Sequence, residues 1–250
     1  MTYPADDLLY FVAHQATFAT HQFQGVKLII SIKEPFYCHL DNQDLPQLTA
    51  ILINQNIPHA LIGNESTLLI YYIDVHCPLY PVLIAYLGQY AWLDMSRQFQ
   101  SLFPEWAPLL HRNSLPQLAD QLLRLLFPFP GEGLTITPDE RMQKLMAYID
   151  ANLAYSISLT DLARVASLST ERTRHLFGEQ LGMSLSQYLI WIRLKRVIQH
   201  EVRQRSPLGE TALHYGFTDQ SHFSRTFKRF FGAVPYYLLK NKQINWGKVR

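Results

Sequence analysis

The sequence predicts an α+β protein in two parts. A small β-sandwich or barrel with flanking helices comes first, and an all-α domain with two helix-turn-helix motifs joined by a linker helix follows. Three observations carry this reading. Short β-branched and aromatic runs crowd residues 21–93, everything beyond Pro138 has helical spacing, and the charge divides between the halves. Residues 1–138 hold five basic and eleven acidic side chains, net −6, whereas residues 139–250 hold 17 basic and 9 acidic, net +8. An acidic half joined to a basic half suggests two domains, the basic one meeting a polyanion.

The chain has 250 residues, 48% hydrophobic and 17% charged, enough for two cores with little left for disordered tails. Its start, MTYPADDLLYF, lacks the basic and apolar regions of a secretory signal, and no apolar run approaches a membrane span. A soluble, cytoplasmic protein is expected. Cys38 and Cys77 are too few for a disulfide framework and are read as reduced thiols.

The strand candidates are VKLIISI (26–32), LTAILI (48–53) and STLLIYYIDV (66–75). Glu34-Pro35, Asp41-Asn42, Asn56-Ile57-Pro58 and Gly63-Asn64 read as turns between such runs. After Pro81 the spacing turns helical, and Leu115–Leu126 reads as a helix ended by Pro128. The first domain is therefore placed at 1–130, a Pro- and Gly-rich linker at 131–138, the second domain at 139–240 and a tail at 241–250.

In the second domain Met142, Leu145, Met146 and Ile149 recur as one face of a helix. Ser158 and Asp161 form a capping box for the next, and Ser167-Leu168-Ser169 is a tight turn. Ser169 caps a third helix, which Gly182 closes. The pattern then recurs: Ser206 caps a helix with Pro207 at its first position, Gly216-Phe217-Thr218 makes a turn, and Asp219 caps a helix running to Gly232. Phe177 and Gly182 reappear 50 residues later as Phe227 and Gly232, so one unit occurs twice. A long helix from Ser184 to Val202 joins them.

Within the two closing helices, Thr173, Leu176 and Phe177, and then Phe223, Phe227 and Phe230, are expected inside. Glu171, Arg174, His175 and Gly178 then face outward in the first, and Gln220, Ser221, Ser224, Arg225 and Lys228 in the second. Reading a base edge takes such a stripe, with Arg for guanine, Gln for adenine and hydroxyl for either. Arg172, Lys228 and Arg229 suit phosphate contacts, with Arg193, Lys195 and Arg196 of the linker helix adding to the electrostatic attraction. Taken singly, each arginine is equally well an ordinary surface charge.

These residues resemble the AraC/XylS family of bacterial transcription regulators. The likeness covers roughly 139–240, through SLTDLARVASLS, RHLFGEQLGMSLSQYL, IRLKRV and above all GFTDQSHFSRTFKRFFGAVP. It implies a regulator, with activation the commoner outcome, that binds double-stranded DNA in the major groove and has RNA polymerase as a protein partner. It places Glu171, Arg174 and His175, and Gln220, Ser221, Ser224 and Arg225, against bases. Thr173 and Thr211 stand where the family usually has Leu and Ile, Gly209 lies early in its helix, and Leu238 and Leu239 replace a Tyr-Arg ending.

The resemblance also implies a cupin-like β-barrel for the first half, and INQNIPHALIGNESTLLIYYIDV is similar to a segment of such domains. A small organic effector is expected inside, lined by Tyr37, His39, His59 and Tyr71. The alternative is a cupin-type metalloenzyme fused to a DNA-binding half. His21, His39, His59 and His76 lack an H-x-H pair with a downstream Glu, however, and no catalytic signature is present, so neither an enzyme nor a metal or other cofactor is expected. A third reading is a homodimer, with Leu118, Leu122, Leu125 and Leu126 pairing helices between protomers or packing on their own barrel.

Overall fold

The computed structural model describes residues 8–109, 115–127, 139–204, 206–240 and 244–247. The chain divides into two compact units, Met1–Thr135 together with Lys228–Arg250, and Ile136–Phe227.

The first unit is built on one eight-stranded sheet curled into a nearly closed barrel. Its strands are β1 (Leu8–His21), β2 (Val26–Ser31), β3 (Phe36–Leu40), β4 (Gln43–Leu48), β5 (Ala50–Ile53), β6 (His59–Ile73), β7 (Trp92–Asp94) and β8 (Ile244–Gly247). β6 organises them. One of its edges pairs with β1 along nearly its whole length, while the other is shared by β2 at Leu68–Ile73 and β3 at His59–Ile62.

The expected strand region starts too late. β1 is absent from the sequence reading because Leu8–Ala13 is buried on both faces and gives no alternation. Gln15 then takes a positive φ where the register with β6 shifts, which breaks the period of the rest. Gly63-Asn64, expected as a turn, lies inside β6 opposite that shift. There Gly63 admits Leu68, whose Cδ1 would sit 2.9 Å from an added Cβ. The Asp41-Asn42 turn does form, both residues with positive φ, and joins β3 to β4 at the Leu40–Gln43 pair.

Helices α1 (Tyr80–Leu87), α2 (Ser96–Ser101), α3 (Phe103–Trp106) and α4 (Leu115–Leu126) cover one face of the sheet. Val26, Leu28, Ile30, Leu69, Tyr71 and Ile73 form a single core with Leu83, Leu87, Phe99, Trp106, Leu118 and Leu122 from these helices. Burying each such side chain contributes about 1.5–3 kcal/mol. The buried Tyr71 hydroxyl donates to the Ala119 carbonyl at 2.8 Å, fixing α4 against β6. Leu118, Leu122 and Leu126 are thus packed on their own barrel, the second of the two packings open to them.

Residues 228–247 join the same unit. β8 adds a strand to β1, from Leu8–Gly247 to Phe11–Ile244, so part of the expected tail is sheet. Phe231 meets Phe11 and Tyr72 edge-on, with ring centroids 5.3 and 5.0 Å away. The carbonyl of Gly232 accepts the Ala19 N–H at 3.0 Å.

The second unit is helical: α5 (Glu140–Ala151), α6 (Leu159–Ala166), α7 (Thr170–Leu181), α8 (Leu185–Gln204), α9 (Leu208–His214) and α10 (Gln220–Phe231), of which the last turn belongs to the first unit. The caps follow the sequence. Ser158 and Ser169 accept from Asp161 and Arg172 N–H groups at 3.1 and 3.2 Å, and Asp219 accepts from His222 N–H at 2.6 Å. Ser206 differs. Its hydroxyl is paired with His200 Nε2 at 3.0 Å, and Pro207 takes the cap position of α9. The proposed 131–138 linker lies outside the described residues.

Gly178 and Gly232 should respond oppositely to alanine. A Cβ at Gly178 meets nothing within 4 Å, whereas one at Gly232, where φ is 72°, would lie 2.5 Å from His21 Nδ1 and 2.6 Å from the Ala19 carbonyl. Gly178→Ala should stabilise the chain by about 0.5–1 kcal/mol, and Gly232→Ala should destabilise it by about 1–3 kcal/mol, measured by thermal or urea unfolding without DNA.

Candidate nucleic-acid interface

Two short turns organise the candidate interface, residues 167–169 between α6 and α7 and residues 215–219 between α9 and α10. Ser167 adopts a left-handed conformation between α6 and α7, and Gly216 does so between α9 and α10, at φ 53° and 84°. Behind α7, Thr173, Leu176 and Phe177 are buried, and behind α10, Phe223, Phe227 and Phe230. Gly182 and Gly232 close the two helices with φ 64° and 72°, so the 50-residue repeat is a repeat of structure.

With those faces buried, the outward stripes follow. Glu171, Arg172, Arg174 and His175 are exposed on α7, and Gln220, Ser221, Arg225, Lys228 and Arg229 on α10, with Ser224 half-buried beside them. Gln220, Ser221, Ser224 and Arg225 line one shallow depression.

The stripes differ in electrostatics. On α7 both arginines have a carboxylate: Arg174 donates to Glu171 and Arg172 reaches Glu179 at 2.6 Å, while the His175 ring lies 2.9 Å from the Glu171 carboxylate. The Arg172 guanidinium holds the Glu179 carboxyl below its usual range. On α10 there is no acidic residue; the Asp219 carboxylate at its cap, held low chiefly by the His222 N–H, is the nearby negative charge. The lack of acidic residues on α10 is legible in the sequence, as is the spacing of Glu171 to Arg174 and His175; the Arg172–Glu179 pair, seven residues apart, is not.

The linker-helix cations are committed elsewhere. Arg196 makes a two-pronged ion pair with Asp150, Lys195 is buried, and Arg193 is half-buried between motifs. The polar departures are satisfied: Thr173 Oγ1 donates to the Ser169 carbonyl at 2.9 Å and Thr211 Oγ1 to Glu201 at 2.9 Å. Gly209 admits the Gln220 side chain, whose Oε1 would lie 3.0 Å from an added Cβ.

In the barrel the four proposed effector residues do not converge. Tyr37 and His39 lie on β3 and bond Asp44 at the open edge, whereas Tyr71 faces the helix-covered core. His59 belongs to a cluster the sequence reading missed. Lys27 Nζ, 1% exposed, donates to His59 Nε2 at 2.7 Å and to His21 Nε2, and lies 4.5 Å from the Tyr72 ring centroid. Both imidazoles give their Nδ1–H to backbone, at Ile57 and Ala19. The available signal was a lysine inside the apolar strand VKLIIS. Among the described residues no group of three or more His, Cys, Asp or Glu gathers as a metal site would require, and no helix is long and apolar enough to cross a membrane.

Burial, then the Lys27 charge, pushes His21 and His59 well below the ordinary imidazole range, and burial pushes Lys27 down as well. The folded cluster therefore refuses protons that the unfolded chain accepts below about pH 6.5. Stability from the two histidines is complete above that value and is lost as the pH falls below it. The thermal midpoint should drop between about pH 7.5 and about pH 5.5, and His21→Phe with His59→Phe should flatten that drop. An unchanged slope would contradict the assignment.

Comparison with known proteins bears on the same helices. A helix-turn-helix domain family matches residues 162–241. The arabinose operon regulatory protein of Escherichia coli K12 is 34% identical over 122 residues, 47% of this chain and 41% of that protein. The virulence regulon transcriptional activator VirF of Yersinia enterocolitica is 27% identical over 154 residues, 56% of this chain and 54% of that one. The match thus spans about half or less of these relatives. Unsaturated fatty acid-bound wild-type ToxT from Vibrio cholerae SCE256 superposes with a TM-score of 0.58 at 14% identity, covering 94% of this chain and 95% of that one, a likeness of fold.

Proposed function

We propose that this chain, which through its C-terminal half belongs to the AraC/XylS family of helix-turn-helix transcriptional regulators, is a sequence-specific DNA-binding regulator that acts chiefly as an activator. The observation that carries the reading is the repeated unit: two outward polar stripes, each backed by a buried phenylalanine and closed by a glycine 50 residues from its counterpart. Glu171, Arg174 and His175 read one half-site, and Gln220, Ser221, Ser224 and Arg225 the other. Arg172, Lys228 and Arg229 hold phosphates. The two helices enter successive major grooves about 34 Å apart, so one chain reads an asymmetric site. RNA polymerase is the protein partner that activation requires. A homodimer through the first half would add a second copy of the site.

The test is selection of bound sequences from random duplex DNA with the full chain. Arg225→Ala and Arg174→Ala should each lose about 1–3 kcal/mol at a single position of the selected site, as base-reading arginines do. Lys228→Ala should instead weaken all sequences evenly and lower the salt slope by about 1. An even loss for the two arginines would make them phosphate contacts.

For the barrel, cupin-like in this reading, the function is to hold a small organic effector that alters DNA binding. Supporting it are the buried Lys27 amine, which has no carboxylate partner among the described residues, and the buried Tyr72 hydroxyl, which has no hydrogen-bond partner there. A ligand with one acid group and an apolar body complements that interior, and His59 is the member of the proposed set nearest to it. ToxT, of similar fold, is known with an unsaturated fatty acid bound. Titration calorimetry with oleate should show saturable binding that Lys27→Met abolishes. Absence of heat with the intact chain would count against an acidic lipid as effector.

A further inference from the structure

Arg193 sits in the middle of α8, and what surrounds it comes from both motifs. Its Nη2 points to the Tyr155 carbonyl at 3.5 Å, in the loop between α5 and α6 that leads into the first motif. Its Nε packs against Gly216, the turn of the second. A Cβ added to Gly216 would lie 2.9 Å from that Nε, 3.1 Å from Cζ and 2.7 Å from the Leu153 carbonyl. The turn of the second motif therefore rests on the loop of the first, with the guanidinium wedged between them. Gly216 has φ 84° and no space for a side chain, so the contact depends on glycine.

The wedge has a feature that packing alone does not call for. The Arg193 Nε is buried without a hydrogen-bond partner among the described residues, and burial lowers the guanidinium's pKa. A methionine would fill the same stem volume without stranding a donor. The planar fork instead reaches one motif's backbone carbonyl while its flat face admits the other motif's backbone, a shape that lysine lacks.

We propose that Arg193 is a positioning residue: wedged between the Tyr155 carbonyl and the Gly216 turn, it locks the two helix-turn-helix motifs at one separation and so fixes the half-site spacing that the chain accepts. This rests on the tandem reading of DNA proposed above. α8 sets the distance along its own axis, and the wedge removes the remaining freedom to swing about its ends. The electrostatic attraction that the sequence assigns to Arg193 needs no direct phosphate contact, so a half-buried guanidinium held in this way serves both roles.

Two measurements test it, the first without DNA. Spin labels at Gly178→Cys on α7 and Ser221→Cys on α10, with the native Cys38 and Cys77 buried, report the separation of the motifs in the full chain. The distance distribution should be narrow with Arg193 and broad in Arg193→Met. In the second, affinity is compared between the selected site and the same site with one base pair inserted between its halves. The insertion should cost the unaltered chain about tenfold or more, and Arg193→Met about threefold or less, with its circular dichroism unchanged.

If Arg193→Met does not fold, Arg193→Lys takes its place and should give the same broadening, because it keeps the charge but not the fork. An equally narrow distribution together with an unaltered insertion penalty would overturn the proposal. A narrow distribution in a chain that binds no DNA would instead overturn the functional reading and leave the wedge standing, so the two failures are distinguishable.

Discussion

Helix α10 ends on a glycine whose φ of 72° suits a helix end and at which the barrel leaves no room for a side chain. The Ala19 backbone and the His21 ring close over Gly232, and Phe231 is inserted between Phe11 and Tyr72. A helix whose outward face carries Gln220, Ser221 and Arg225 thus has its last turn built into the core of the first unit. Gly232 accepts from Ala19, His21 donates to Ala19, and Lys27 donates to His21 and His59. The end of α10 and the Lys27 cluster are therefore linked through Ala19, two hydrogen bonds from Gly232 to His21.

The two motifs share an architecture but not a charge state. Ion pairs on α7 hold Arg172 and Arg174, and His175 lies beside the same Glu171 carboxylate as Arg174; in the proposed DNA complex these contacts would break or be shared before the side chains reach a base. Exposed pairs of this kind are worth little, about 0–1 kcal/mol, so the exchange would be inexpensive, and the proposed base reading by α7 would require a better partner than Glu171. Helix α10 carries its cations without an acidic residue of its own, and in the proposed complex it would supply more of the salt-dependent attraction.

How much of this was legible in the sequence depended on how local each cause was. Ser158, Ser169, Asp219, Gly182 and Gly232 are read from the chain because caps and helix ends are set by a few neighbouring residues. Ser206 does not cap α9 because His200, six residues earlier near the end of α8, takes its hydroxyl, a pairing that helix-start rules do not weigh. β1 was invisible for the opposite reason: with both faces buried it loses the alternation that marks a strand. Gly63 looked like a turn when it serves a bulge within a strand. The outward stripes were legible because a helix fixes which side chains share a face. The barrel's polar centre was not, since Lys27, His21 and His59 come together only through the pairing of β1, β2 and β6.

The most direct test of tandem reading is a footprint of the full chain on its selected duplex, combining hydroxyl-radical cleavage with interference by modified purines at one-protomer stoichiometry. Two major-groove windows on one face of the DNA, about ten base pairs apart and unlike in sequence, are the predicted result. A single window, or two inverted copies of one half-site occupied only by two chains, would contradict it.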